Sequence, residues 1–467
     1  MAYKNYDILS LQQKVNEIDN KCEKDYVDEK VNDISSSLEE KANKTNVDNL
    51  SNKFKSTVNY IKNRMVVYPD GYTPPLFLKL FKINNNIEIK DFNSEDLFTT
   101  DSTKKTYYVS KSGNNTNNGL TPETAFATLE RAYIQTDVET ICILEGEYYR
   151  YDKTAIQFPD KALKIKAYPE GAKVSIQNIG SGAVKDTVWT LEDGVYKTEN
   201  AYTGWVFDTK NLDSYGNPTL YTQATSLANC KASEGTWYKD TTYTYVHTIS
   251  GYEPSNNKDI KLLISSGDKM NTGKKMLYFE GINFEFYNHF DFRSFGTLIF
   301  KNCKFGNSTT GNTFCATNGD LVVMDNCTAT NSYADGFNYN NTDFIEINCI
   351  SYANGLKRSE ETSNGSTSHN NCKGLRINGL YFDNKGPNVV DVHEPAETNL
   401  QFCVGCTAYN SLANSASYKL DFQTTDKMWL DSCVAYTTPV SASATNASIK
   451  IKDCILEKDK VGNVTEY

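Results

Sequence analysis

Three stretches decide the fold: LIFKNCKFGN at residues 298–307, LVVMDNCTATN at 321–331 and FIEINCISYAN at 344–354. Each alternates apolar and polar residues, then reaches Asn-Cys, then resumes with small or apolar residues. Alternation with period two marks a strand with one buried face. The pattern recurs as LQFCVGCTAYN around Cys406, MWLDSCVAYTT around Cys433 and IKIKDCILEKD around Cys454. Two more copies carry an aliphatic residue at the cysteine place: LYFEGINFEF with Ile282 and LRINGLYFDN with Leu380. Successive steps are 21, 24, 22, 31, 26, 27 and 21 residues. A period of that size is one coil of a solenoid, because a single coil cannot bury its own inner face. Asn and Gly before the cysteine suit left-handed corners between strands.

Stacked coils place Cys303, Cys327, Cys349, Cys406, Cys433 and Cys454 in one internal ladder, where a thiol acts as a small buried hydrophobe. The only short cysteine pair is Cys403-x-x-Cys406, with no second pair at zinc-finger spacing, so neither disulfides nor structural zinc is expected.

The body begins earlier. TYYVSKSGN at 106–114, GLTPETAF at 119–126 and VETICILEGEY at 138–148 resemble the opening of pectate-lyase-like β-helix proteins. The resemblance implies a right-handed parallel β-helix over residues 106–467, with a cap helix at Pro122–Ile134 and Thr121 as its N-cap. It implies no activity, since this fold hosts lyases, hydrolases and pure binders. Between about 180 and 267 the coil period is lost, and hairpin-like strands with Asp-Gly and Gly-rich turns suggest a β insertion. Trp205 and Trp237 within it read either as a sugar-stacking platform or as the insert's own core.

The N-terminus is different. Ile8, Leu11, Val15, Ile18 and Cys22, then Val27, Val31, Ile34, Leu38 and Ala42, then Val47, Leu50, Phe54, Val58 and Ile61, form narrow 3-4 seams. These predict a coiled-coil stalk over 1–63, and β-branched residues at both a and d favour three strands. Residues 64–105 hold Pro69-Asp-Gly71 and Pro74-Pro75, which break helix, and read as a connector.

Net charge is −10 and no basic block exists, which argues against nucleic acid. No apolar run approaches 18 residues, and the first residues lack the apolar region of a signal peptide. A cytosol-made chain joining a trimeric stalk to a β-helix resembles bacteriophage tail fibres and tailspikes. That resemblance implies a virion tail location, other tail or baseplate proteins as partners through the N-terminus, and a host-surface polysaccharide as ligand. A non-catalytic fibre and a non-viral β-helix lyase or hydrolase are the alternatives.

Histidines and carboxylates share a phase before the ladder. Asp335, His369, Asp391, His393, Glu394 and Asp421 are expected to form a column on neighbouring coils, with Asp391 and Asp421 one rise of about 4.8 Å apart. Such a column reads three ways: as a glycosidase carboxylate pair or lyase base, as glycan binding without cleavage, or as turn structure. Arg358, Tyr339, Trp205 and Trp237 are candidate glycan contacts. Arg358 lies in a long polar loop, 357–371, placed to wall a groove. The acids offer oxygen ligands to Ca²⁺, but no motif of calcium-binding spacing is present, so no metal or other cofactor is assigned.

Overall fold

A computed structural model describes residues 65–467 except 84–85, 150–160, 178–187, 200–202, 256–257, 265–267, 272–274 and 395–396. The expected stalk lies outside the described residues. Contacts divide the chain into two units. Among the described residues the smaller holds 65–67 and 79–83; there Met65 bridges Phe81, and Val66 N–H donates to the Leu80 carbonyl at 2.8 Å. The larger, 68–78 and 85–467, is a mainly β solenoid of parallel strands.

From Leu277 onward each coil visits three sheets in turn. The coil at 297–317 places Thr297–Lys301 in sheet I, Lys304–Gly306 in sheet II and Phe314–Thr317 in sheet III. Among the described residues these sheets hold 12, 10 and 9 strands, and every neighbouring pair runs parallel. The corner between sheets I and II carries the sequence signal. Asn302, Asn326, Asn348 and Asn378 all adopt φ of 52 to 55°, and Gly281 and Gly405 take the same corner at 70 and 65°. Asparagine tolerates this region because its short amide bonds locally. Asn326 Nδ2 indeed donates to Asn302 Oδ1 at 2.7 Å.

The next residue turns inward. Cys303, Cys327, Cys349, Cys406 and Cys433 are buried and free, and their thiols approach carbonyls of the coil before, as Cys327 Sγ does Phe300 O at 3.3 Å. One assignment shifts. Ile350 pairs with Leu380, so Gly379 and not Leu380 stands opposite Cys349. A β-carbon at Gly379 would collide with the Tyr381 hydroxyl; the tyrosine occupies the space the thiol fills elsewhere.

The cap is also not one helix. Thr121 caps a 3-10 turn at Pro122–Thr124 through a capping box, and a separate single-turn helix spans Leu129–Tyr133. Phe126 interrupts them. Its N–H donates to Tyr108 O, its carbonyl accepts from Ser110 N, and its ring stacks on Tyr107 at 5.7 Å. Pairing with the first strand outcompetes helix continuation there.

Two of the three outer faces are partly covered. Residues 68–78 and 86–104 run over sheet I: Tyr72 packs on Phe402 and Trp429 at 5.6 and 5.8 Å, Ile87 bonds both ways with the Asn378 amide, and Phe98 packs on Tyr278. The insertion folds as two small sheets around Trp189, Phe207 and Trp237, and seats on the early coils of sheet II through Asn217–Thr330 and Phe207–Phe286 contacts. On sheet III the outward side chains differ in exposure: Asp291, Cys315, Asn338, Thr367 and Val390 are buried, whereas Arg293, Thr317, Asn340 and His369 are half-buried and Val392 is exposed.

Candidate functional site

The strands of sheet III align as four-residue words: FDFR (290–293), FCAT (314–317), FNYN (337–340), STSH (366–369) and VVDV (389–392). First and third letters face inward, second and fourth outward, because side chains alternate along a strand. Two outward columns follow. One reads Asp291, Cys315, Asn338, Thr367, Val390; the other Arg293, Thr317, Asn340, His369, Val392.

The polar end of these columns is a continuous network. Asn338 Nδ2 donates to Asp335 Oδ2 at 2.7 Å and to His369 Nε2 at 3.2 Å. Asp335 Oδ1 accepts the Asn364 N–H at 2.7 Å. Burial pushes the Asp335 carboxyl above the ordinary carboxylate range, against the pull of those donors and of His369. Burial likewise holds His369 below the ordinary imidazole range, opposed by Asp335. With an amide hydrogen aimed at Nε2, the imidazole is an acceptor there and carries its proton on Nδ1. Carboxyl and imidazole are thus both displaced toward their neutral forms and tied to one amide.

Cys315 links this group to a second one. Its Sγ lies 3.6 Å from Asn338 Oδ1, and its thiol is pushed up to about 12 by burial and by the neighbouring Asp291. Asp291 is buried, bonds the Arg293 guanidinium and lies 3.7 Å from His289 Nε2; these two partners hold its carboxyl low despite burial. His289, Asp291 and Cys315 lie close enough together to hold a metal ion. The proton pattern opposes one. Asn312 N–H donates to His289 Nδ1 at 3.1 Å, which puts the ring proton on Nε2, facing Asp291. A cation there would displace that proton and sit beside Arg293.

The six column candidates separate. Asp335 and His369 meet as described. Asp391 is the third, inward letter of its strand. Fully buried, it accepts from Ser368 at 3.2 Å and Thr424 at 2.6 Å inside the solenoid, with its carboxyl raised to about 6 by burial. Asp421 precedes its strand, accepts Asn388 and Thr438 at 3.0 and 2.6 Å, and is raised to about 7. His393 and Glu394 lie in the following corner, where His393 Nδ1 meets Thr425 Oγ1 at 2.9 Å and Glu394 is exposed. Neither Asp391 nor Asp421 faces a surface groove, so the expected one-rise pair does not form there, nor do these acids converge on a Ca²⁺ cage.

The glycan-contact candidates fare similarly. Tyr339 is interior, stacked on Phe344 with centroids 3.8 Å apart. Trp237 is 2% exposed in the insertion's core, and Trp205 packs against that core. Arg358 stays at the surface, paired with Glu360 and 5.7 Å from the Tyr333 ring. Arg293, Cys315 and Asn338 were missed as site residues, yet aligning the four-residue words above would have found them.

No family model and no curated protein matches the sequence. Solved structures match in fold, a right-handed β-helix-like fold. A glycoside hydrolase is similar at a TM-score of 0.55 and 10% identity, over 78% of this chain and 96% of that one. A pectate lyase, Pel9A, aligns at 0.37 and 12%, over 74% and 79%. The tailspike gp49 of Pseudomonas phage LKA1 aligns at 0.29 and 10%, over 70% and 69%.

Proposed function

We propose that this chain is a trimeric phage tail fibre or tailspike that binds a host-surface polysaccharide along the outer face of sheet III and depolymerises it by proton transfer at Asp335 and His369. One observation carries the chemistry: a carboxyl raised toward its acid form and an imidazole lowered toward its free base share Asn338, with Asp335 and Asn338 buried and His369 half-buried beside them. Environments that bias two titratable groups in this way mark a general acid and a general base. Asp335 would protonate the leaving oxygen, and His369 would take the proton from water or from carbon. A face several coils long suits a polymer, and a trimer multiplies weak sugar contacts. The seams of 8–61 support the trimer and, with it, attachment to other tail or baseplate proteins through the N-terminus.

A second reading, binding without cleavage, draws on the satisfied state of Asp335: both oxygens accept hydrogen bonds and the residue is 7% exposed. The deciding experiment incubates the full chain with host-surface polysaccharides and follows polymer length and new ends. Shortened polymer, with about 100-fold or greater loss in Asp335→Asn and His369→Ala, supports catalysis. Reducing ends alone mean hydrolysis; unsaturated ends mean elimination. The rate should follow a bell in pH, rising as His369 loses its proton and falling as Asp335 does. Retained binding with uncut polymer makes the chain an adhesin fibre.

A further inference from the structure

The outer face of sheet II changes character along the solenoid. One outward column begins with Asn283, Lys304 and Thr328 and continues with Ile350, Leu380, Thr407, Val434 and Ile455. The neighbouring column becomes aromatic at the same coil. Tyr352 stacks on Phe382 at 5.1 Å and 2°, and Phe382 on Tyr409 at 5.0 Å and 7°; Tyr436 follows at 6.4 Å. The polar part is where the insertion sits, and Tyr215 at the insertion's edge meets Tyr352 at 6.1 Å. Beyond that point the face is apolar and uncovered among the described residues. Ile455 is 63% exposed and Tyr436 43%.

We propose that this apolar half-face is where copies of the chain pack on one another, stripe against stripe around a shared axis. Stacking consumes the faces of the inner rings, leaving their edges outward, so the ladder offers a sugar little ring surface to lie on. From the coil of Ile350 to that of Val434 neither column carries a charged residue, unlike the sugar-facing network of sheet III; Glu457 closes the second column after Tyr436. A stripe of this kind is an interface rather than a resting surface. The occupant follows from the chain outside the described residues: seams at 8–61 of three-stranded type gather three copies of the body, and in a symmetric assembly the same stripe of each meets its counterparts. The inference rests on that trimeric reading.

The test uses the full chain with Cys22→Ala as background, since Cys22 lies in the expected seam. Tyr436→Cys probes the stripe, and Val392→Cys, 37% exposed on sheet III, is the control. Sedimentation gives the mass, and a short bismaleimide followed by a denaturing gel gives proximity. A trimer in which Tyr436→Cys yields covalent dimers and Val392→Cys does not is the expected result. A trimer with Tyr436→Cys unlinked overturns the interface and leaves the stalk standing. A monomer overturns both. Exposed positions were chosen so that the variants keep the fold, which far-UV circular dichroism verifies.

Discussion

The interior of the solenoid is filled in two different ways. Coils from Phe279 to Phe337 are packed with phenylalanine: Phe279 stacks on Phe300, Phe284 on Phe305, and Phe290, Phe292 and Phe314 pack edge-on or tilted among them at 5.0 to 5.9 Å. The coils from Phe344 to Gln401 hold a polar plug. Glu346 accepts Ser366 Oγ and Tyr381 Oη, both at 2.6 Å; Arg376 donates to Ser366 and Gln401, both at 2.9 Å, and lies 4.6 Å over the Phe344 ring. The plug separates two apolar clusters, one reaching Cys349 and Cys372 and the other starting at Tyr381. Parallel ladders run through both regions unchanged. The fold is therefore set by strand register and corners, and the filling need only be dense in one region and hydrogen-bonded in the other.

Breaking each filling should expose the difference. Phe305→Ala removes a ring that touches Phe284, Phe300 and Phe314, and should cost about 3–5 kcal/mol. Glu346→Ala should cost a similar amount, roughly 3–5 kcal/mol, for another reason: it strands the fully buried Arg376 charge. The comparison sharpens with a double variant. Glu346→Leu with Arg376→Met should recover most of the loss, since an apolar pair of similar volume carries no desolvation penalty. No double substitution should rescue Phe305→Ala in that way. Chemical denaturation of the three variants checks this; a double variant no better than Glu346→Ala would mean the plug stabilises beyond its charge balance.

Acidity separates the two regions again. Asp391 in the plug region has its carboxyl raised to about 6 from an ordinary value of 3.8, by burial. A raised folded-state value means the stabilising contribution is complete below pH 3.8 and is lost as pH climbs through 6. That amounts to roughly 3 kcal/mol less stability at pH 8 than at pH 3.5. Asp391→Asn, which keeps a partner for Ser368 and Thr424, should flatten this dependence and be more stable than the parent at pH 8. Asp421→Asn should act in the same direction. Melting temperature against pH reads both, and parallel curves for parent and variant would contradict the assignment.

The same residue shows what was legible beforehand. Period-two alternation and the cysteine phase were enough for the parallel sheets, the inward thiols and the left-handed asparagine corners. They were not enough for the site, because faces were inferred by counting back from the ladder. That count crosses a corner of variable length: two residues follow Asn340 before the next strand, but seven follow Val392. In a strand, one residue of offset turns a side chain from surface to core. Asp391 fell inside for this reason, while Asp335 and His369 lay beside Asn338 and stayed together. Trp237 failed differently; an aromatic in an insertion reads alike as platform or core until the insertion's own packing is known.

The smallest effect tests the corner itself, which both regions share. Asn326 stands at φ of 55° between the sheet I strand Leu321–Asp325 and Cys327, and its amide bonds Asn302. Alanine there meets the left-handed penalty and loses the ladder hydrogen bond, so Asn326→Ala should cost about 1–2 kcal/mol. Glycine pays no such penalty and loses only the bond, offset in part by its looser unfolded chain, so Asn326→Gly should cost about half as much. Asn348→Ala and Asn348→Gly, at the corner entering the plug region, should give the same pair of values. Equal costs at both corners would show that the turn, and not what fills the coil, sets the register. A much larger cost at Asn348 would instead tie that corner to Glu346, two residues before it, and make the plug part of what holds the coil's geometry.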